Sequence, residues 1–194
     1  MSKELSTIKA KMRQKLKDTG SEFSNDDLDI YIDEVKVDIS KVHPYIVKET
    51  LTADGTRDYS IASLANFSSI LRCIKAEYPV DKNPRRFHNV WRYGNTVRIE
   101  IEEAPTTGES IYLYCEEIHT ITDSSTTLDL PLQDVLLKGV VALAARAFLN
   151  DMRSDIVPSS RQWYANWAAQ QYAIYQAALT GIRQPRVHEF YTRY

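Results

Sequence analysis

Histidine and cysteine are the side chains of this sequence best suited to bind a metal or to act as base and nucleophile, but their spacing supports neither chemistry. The four histidines are scattered, and none lies one helical turn from another ligand on a predicted helix. The two cysteines, Cys73 and Cys115, do not match a zinc pattern and predict a reduced, cytosolic protein. Both lie in predicted strands that can be neighbours, so a disulfide bridge stays open as the alternative. We expect no metal and no other cofactor.

Hydrolytic chemistry finds no better support in the sequence. Acid pairs such as Glu102 with Glu103 and Glu116 with Glu117 are adjacent, and adjacent side chains of a strand point to opposite faces. The chain has no glycine-rich phosphate loop and no Gly-x-Ser-x-Gly elbow. His119 ends a predicted strand, where we expect a packed or hydrogen-bonded imidazole. We therefore predict that the protein is not an enzyme; a soluble enzyme or ligand-binding domain with its site in the β region is the alternative.

The strongest secondary-structure signal in the sequence predicts two long helices in residues 129–182. Apolar residues recur there with a period of about 3.6 over several turns. Pro131 suits the first turn of the first helix, and Ser159 or Ser160 can cap the second. Gly139 allows another helix to approach closely, and the short connection predicts that the two helices are antiparallel neighbours.

Two further helices are predicted near the start of the chain. Residues 5–17 form a basic amphipathic helix, which either packs by its apolar face or acts as an arm for an acidic partner or DNA. Ser24, followed three residues later by Asp27, predicts a capping box that starts the next helix. The apolar stripe of that helix consists of Leu28, Ile32, Val35, Ile39 and Val42.

From residue 45 to about residue 127 the hydrophobic period is two, which predicts about six short antiparallel strands. Gly94 and Asn95 form a two-residue loop of the kind found in tight hairpins. Since helical patterns lie on both sides, this β region is predicted to be an insertion. The predicted strands are Tyr45–Leu51, Tyr59–Leu64, Ile70–Tyr78, Val90–Tyr93, Thr96–Glu102 and Ser110–His119.

The predicted fold class is α+β, a bundle of three or four helices with an inserted antiparallel β barrel or sandwich and an extended C-terminal tail. A net charge of −2 provides no global attraction to nucleic acid. No apolar run approaches the ~20 residues that span a bilayer, so we expect no membrane partner. The predicted domains are a basic arm at 1–20, a helical bundle from 21–44 and 128–182, a β domain at 45–127 and a tail at 183–194.

Two sets of side chains are candidates for contact between copies of the chain. The first is a group of aspartates at the start of the second helix, which can meet basic groups of a neighbouring copy or line a channel. The second is a pair of tryptophans on one face of the last helix, which suits the core or a subunit contact better than base stacking. The two sets are Asp26, Asp27, Asp29 and Asp33, and Trp163 and Trp167.

The segment 183–194 follows Gly181, contains a proline, and has neither a helical stripe nor enough apolar residues for a half-buried strand. Its arginines and aromatic residues are types enriched in interface cores, whereas disordered tails are usually poor in aromatic residues. A disordered terminus and a tail that orders against a partner both stay open. The candidate partner-binding residues are Arg183, Pro185, Arg186, His188, Phe190, Tyr191, Arg193 and Tyr194.

The order of elements is distinctive. A capped helix beginning F-S-N-D-D-L precedes a β region with W-R-Y-G-N-T-V-R-I-E-I and A-P-T-T-G-E-S-I-Y-L-Y-C. A threonine-rich segment leads into L-P-L-Q-D-V-L-L-K-G-V-V-A-L-A-A-R-A and an aromatic helix rich in alanine and glutamine. Over roughly residues 22–182 this order resembles the head-to-tail adaptor, or connector, proteins of tailed bacteriophages. The large β portion departs from the family pattern and leaves its role open.

The resemblance implies a structural virion protein of the neck, present in the host cytoplasm during assembly. It implies a ring, commonly of twelve copies, beneath the portal protein, with a tail or neck protein below and DNA passing non-specifically through the channel. It further implies that the segment 183–194 engages the portal, and it supplies no catalytic residues. Another phage neck or tail-completion protein is the alternative within the virion.

Overall fold

The computed structural model of the chain describes residues 4–18, 23–151 and 158–182. These residues form four α-helices and a six-stranded antiparallel sheet, so the predicted α+β class is confirmed. The chain divides into two compact units, residues 1–43 with 119–194 and residues 44–118, which we call the helical unit and the β unit. The elements are α1 (Glu4–Leu16), α2 (Asn25–Val42), β1 (Tyr45–Thr52), β2 (Asp58–Ser60), β3 (Ile70–Glu77), β4 (Phe87–Tyr93), β5 (Thr96–Ile99), β6 (Ser110–Glu117), α3 (Leu130–Asp151) and α4 (Pro158–Gly181).

One buried cluster holds the helical unit together, and all four helices contribute to it. Helix α1 contributes Ile8 and Met12, so the predicted basic helix packs by its apolar face. The predicted stripe of α2 is buried at Leu28, Val35 and Ile39. Each fully buried aliphatic side chain of this size stabilises the fold by about 1.5–3 kcal/mol.

Helices α3 and α4 are antiparallel neighbours, as predicted. Phe148 near the end of α3 contacts Tyr164 near the start of α4, with ring centroids 5.5 Å apart. Earlier in α3, Gly139 faces Tyr175 of α4 and Val35 of α2. A Cβ at Gly139 would lie 2.5 Å from Val35 Cγ1 and 2.8 Å from Tyr175 Cε2. Three helices therefore meet at a residue without a side chain, which confirms the prediction of close approach there.

The start of α3 agrees with the sequence patterns, and the start of α4 differs from them. Asp129 Oδ1 accepts a hydrogen bond from the Leu132 N–H at 3.0 Å, and Pro131 lies in the first turn of α3. Helix α4 begins at Pro158, so Ser159 and Ser160 lie within its first turn instead of capping it. Proline suits a first helical position because its missing N–H needs no partner there.

The helical unit also includes His119 and the residues that lead from it into α3. The backbone N–H of His119 donates to Ser40 Oγ of α2 at 2.9 Å, and His119 Nε2 lies 2.8 Å from the His43 carbonyl oxygen. The hydroxyl of Thr127 lies 3.0 Å from His119 Nδ1. These bonds join the segment to α2, so the β unit ends at Ile118 rather than near residue 127.

The β unit is a single sheet that curls into a half-barrel. Its strand order is β1-β6-β3-β4-β5-β2, which makes β1 and β2 the edge strands. In the part of the chain that the structure describes, these edges do not pair with each other, so the predicted barrel is open and no second sheet makes a sandwich. Its buried cluster includes Ile61, Ile99, Ile111 and Leu113.

The predicted hairpin is present in the β unit. Tyr93 pairs with Thr96 across the two-residue loop, and Gly94 has a φ of 57°, which glycine adopts without strain. Four strands end earlier than predicted. The larger differences are in β2, which ends at Ser60, and β5, which ends at Ile99; β3 and β6 stop one and two residues early. After β2 the chain turns, and the Leu64 N–H donates to the Ile61 carbonyl at 3.1 Å.

Candidate interaction surface

The capping box that starts α2 engages one of the four candidate aspartates. The Asp27 N–H donates to Ser24 Oγ at 3.0 Å, and the Ser24 N–H donates to the Asp27 carboxylate at 2.9 Å. The bonds from Ser24 lower the pKa of Asp27, because they stabilise its ionised form. The predicted capping box is confirmed, and it gives Asp27 a role within its own helix.

A second candidate, Asp29, is engaged by α1. Lys9 Nζ lies 2.7 Å from the Asp29 carboxylate. Nearby, Arg13 of α1 donates to the Phe23 carbonyl at 2.8 Å and to Asn25 Oδ1 at 3.1 Å, at the start of α2. These contacts fix the basic face of α1 against α2, so part of its charge is used inside the unit.

The other two candidates flank an exposed isoleucine on the outer face of α2. Asp26, Ile30 and Asp33 follow one another at spacings of four and three residues, so they share one side of the helix. Ile30 lies two residues, or roughly 200° around the helix, from the buried stripe residue Leu28. Its side chain is 62 % exposed, and both aspartates are exposed beside it. We call Asp26, Ile30 and Asp33 the acidic knob.

Trp163 and Trp167 lie in the wall of a cavity of about 320 Å³ in the helical unit. Their rings are parallel to within 2°, with centroids 6.5 Å apart. Trp163 is 61 % exposed, although a large aromatic side chain usually gains from burial. We call this cavity the aromatic pocket, and define it by Lys15, Lys17, Phe148, Trp163, Tyr164 and Trp167.

The electrostatics of the aromatic pocket come from its two lysines. Lys15 Nζ lies 3.9 Å from the Asp134 carboxylate, which Lys138 approaches more closely at 2.6 Å. Lys17 is exposed at the end of α1. The pocket therefore combines aromatic walls with a positive rim.

The chain matches the family model described as SU10 adaptor protein over residues 3–193. The chain belongs to this family. The match confirms the resemblance to phage head-to-tail adaptors, and it makes the chain a phage adaptor and a structural virion component. None of the curated proteins matches the chain.

His119 is a buried titratable group that is hydrogen-bonded within the helical unit of this adaptor. His119 is 3 % exposed, and burial lowers the pKa of its imidazole because the charged form loses hydration. It is the packed, hydrogen-bonded histidine that the sequence predicts. Cys73 and Cys115 lie opposite each other on the neighbouring strands β3 and β6, as a disulfide bridge would require. Both are nevertheless free thiols, so the bridge is not formed. Among the described residues, no group of three or more His, Cys, Asp or Glu side chains could hold a metal ion.

The remaining candidate residues of the adaptor lie outside the described residues. They belong to the segment 183–194, whose role stays a prediction. Within the described ranges, no helix is long and apolar enough to cross a bilayer. The candidates in that segment are Arg183, Pro185, Arg186, His188, Phe190, Tyr191, Arg193 and Tyr194.

Sequence patterns pointed to the acids and tryptophans of the adaptor but not to the side chains that complete the two surfaces. Ile30 was detectable, because it is an apolar residue that falls outside the stripe of α2. Lys15, Lys17 and Phe148 carry no such signal. They meet only because α1 packs against the bundle near the end of α3.

Proposed function

We propose that this adaptor forms a ring of twelve copies beneath the portal protein and joins the DNA-filled capsid to the tail. The observation that carries the proposal is the family match, because it spans both units and continues past α4 to residue 193. The copy number follows the resemblance to ring-forming connectors. On the far side a tail or neck protein binds, and DNA passes through the channel without sequence-specific contacts.

The segment 183–194 is the portal-binding part in this proposal. It combines arginines with Tyr191 and Tyr194, residue types that often dominate binding energy at interfaces, and with Phe190, a type enriched in interface cores. Exposed ion pairs contribute only about 0–1 kcal/mol each. The aromatic side chains are therefore expected to supply most of the affinity, and the arginines to set orientation and association rate.

Deletion of residues 183–194 tests this role. The truncated chain should fold and lose binding to portal rings encoded in the same phage genome, measured by co-sedimentation. Circular dichroism and the melting temperature of the truncated chain confirm that the described helices and strands are intact. Full-affinity binding by the truncated chain would show that another surface holds the portal.

A pair of matched variants separates the aromatic contribution from the charge. Replacing Phe190, Tyr191 and Tyr194 by serine should weaken binding at every salt concentration. Replacing Arg183, Arg186 and Arg193 by glutamine should slow association and flatten its dependence on salt. Equal effects of the two variants would contradict this division of roles.

A further inference from the structure

We propose that the acidic knob of one copy inserts into the aromatic pocket of the next copy in the ring. The isoleucine of the knob would lie among the aromatic rings, and its two aspartates would face the two lysines of the rim. This inference rests on the proposed ring and names the contact that closes it. Within a single copy, the acidic knob and the aromatic pocket do not contact each other.

The chemistry of the two surfaces is complementary. Ile30 is an exposed apolar side chain between the carboxylates of Asp26 and Asp33. The pocket is an apolar concavity whose rim carries Lys15 and Lys17. Burial of Ile30 and of the exposed face of a tryptophan would stabilise the contact through the hydrophobic effect. The opposite charges would fix the orientation of one copy relative to the next and disfavour other docking orientations. The Lys36 ammonium already pairs with Asp33 along α2 at 2.5 Å, but an ion pair on a helix surface contributes little to stability.

A single copy cannot place its own knob in its own pocket. The buried stripe of α2 faces the core, where Val35 meets Gly139 of α3. Ile30 lies on the opposite side of α2, whereas the pocket is lined by the end of α1, by Phe23 just before α2, and by side chains of α3 and α4. The two surfaces are therefore separate patches of one unit, and a contact between them has to join two copies.

The contact between these two patches has the geometry that a ring requires. An interface between two different patches is heterologous, and repetition of a heterologous contact gives a closed ring when the rotation closes. A two-fold dimer through the knob would instead place Asp26 and Asp33 against the same carboxylates of the partner, which like-charge repulsion opposes.

Charge also argues against the segment 183–194 as the occupant of the pocket. It carries three arginines and one glutamate, and it would bring net positive charge to Lys15 and Lys17. The connection 152–157 is closer in sequence to the pocket, because it joins the helices that carry Phe148 and Trp163, and it contains Ile156. Occupation by this connection is therefore a separate outcome of the test.

The decisive experiment exchanges the charges of the two surfaces in full-length protein. One variant carries Lys15→Glu and Lys17→Glu, and the other carries Asp26→Lys and Asp33→Lys. Alone, each variant brings like charges together and should lose ring assembly on portal rings, counted by native mass spectrometry or electron microscopy. Mixed in equal amounts, the two variants can alternate around the ring with every contact complementary, so assembly should return.

Three single variants control for shape and for folding. Ile30→Ala should weaken self-association by at least about tenfold, measured by analytical ultracentrifugation, because it removes the apolar centre of the contact. Leu130→Ala, at a residue that is 78 % exposed on α3, should leave self-association unchanged. Ile156→Ala should also leave it unchanged, and should not alter tryptophan emission of the dilute monomer.

The outcomes distinguish this contact from the proposed function. Charge variants that assemble alone like the wild type, or folded variants whose mixture fails to assemble, overturn the contact while portal binding by the wild type upholds the function. A shift of tryptophan emission in monomeric Ile156→Ala assigns the pocket to the connection and overturns the contact as well. A wild type that leaves portal rings bare overturns the function and this contact together.

Discussion

The two units of the chain use their charged side chains in different ways. In the β unit, Arg72 of β3 donates to both oxygens of Glu116 of β6, at 2.5 and 2.7 Å. In the helical unit, the outer face of α2 presents Asp26 and Asp33 to solvent around an exposed isoleucine. The β unit therefore uses these charges to hold its own strands, whereas the exposed acids of the helical unit are the ones that the proposed contact between copies would use.

Several ionisable side chains of the β unit are also buried or partly buried, and they bond within the sheet. Glu77 is 1 % exposed, and its carboxylate accepts a hydrogen bond from Tyr114 Oη at 2.7 Å. Burial raises the pKa of Tyr114 to about 12, and the bond to Glu77 adds to the shift. Lys75 lies 3.8 Å from the centroid of the Phe87 ring, and burial lowers the pKa of its ammonium. These ionisable groups are fixed within one sheet, so they specify the fold of the β unit rather than a docking surface.

The largest expected loss of stability is at Gly139, where three helices of the helical unit meet. Gly139→Leu should lower the free energy of unfolding by about 3 kcal/mol, because the new side chain must displace Val35 and Tyr175. Denaturant unfolding followed by circular dichroism measures the loss, and amide exchange in α3 and α4 should locate it.

Gly181 offers a matched control for that substitution. A Cβ at Gly181 meets no atom within 4 Å, so Gly181→Ala should be neutral or stabilise α4 by up to about 1 kcal/mol. If Gly139→Leu were as stable as Gly181→Ala, the three helices would not meet at residue 139.

The second prediction tests the ion pair of the β unit. Arg72→Met should lower the free energy of unfolding by about 2 kcal/mol, because it leaves the largely buried Glu116 carboxylate without its two charged donors. The value is below that of a fully buried pair because the Arg72 side chain is 43 % exposed.

Arg98→Met is the control for the ion pair. Arg98 lies 3.7 Å from Asp58, and both side chains are about half exposed, so the change should cost no more than about 1 kcal/mol. Equal losses in the two arginine variants would contradict the claim that the β unit depends on its own buried charge pairs.

The third prediction concerns how the free energy of unfolding depends on pH through His119, which is hydrogen-bonded to Ser40 of α2. Burial lowers the folded-state pKa of His119 below its ordinary value of 6.5, so the unfolded chain binds the extra proton first as the pH falls. The contribution of neutral His119 is complete above about pH 6.5 and is lost on acidification below it, at up to about 1.4 kcal/mol per pH unit. Unfolding free energies measured between pH 7.5 and 5.5 should fall for the wild type.

His119→Gln isolates the imidazole from other titrating groups. Glutamine keeps hydrogen-bonding capacity but does not titrate, so the variant should lose stability less steeply over the same pH range. Parallel curves for the wild type and His119→Gln would assign the pH dependence to other groups.

The smallest expected effect is in the hairpin of the β unit. Gly94→Ala should cost about 1 kcal/mol, because an L side chain is strained at a φ of 57°. Asn95→Ala is the comparison in the same loop and should cost less. A Gly94→Ala variant as stable as the wild type would mean that the loop can change its turn type without disturbing β4 and β5.

The helical unit was predictable to a greater depth than the β unit, for physical reasons. A cap and a stripe are local patterns, so Ser24, Asp27 and the stripe of α2 specify where that helix begins and which side it buries. Strand positions also followed from local alternation. The strand order did not, because it depends on which distant segments pair, such as β3 with β6 across the chain.

The interaction surfaces were predictable only in part. The acids and tryptophans stand out by type, but the grouping of Lys15 and Lys17 with Phe148 depends on how α1 packs against the other helices. The burial of Glu77 and Glu116 had no sequence signal either, since glutamate in a strand is usually exposed. Both cases require knowledge of tertiary neighbours.

Electron microscopy of the full-length chain mixed with portal rings from the same phage tests the central claim most directly. The proposed function predicts a closed ring of this chain, coaxial with the portal and on its tail-facing side, with neighbouring copies joined through their helical units. Portal rings that stay bare, or single copies bound without lateral contact, would contradict it.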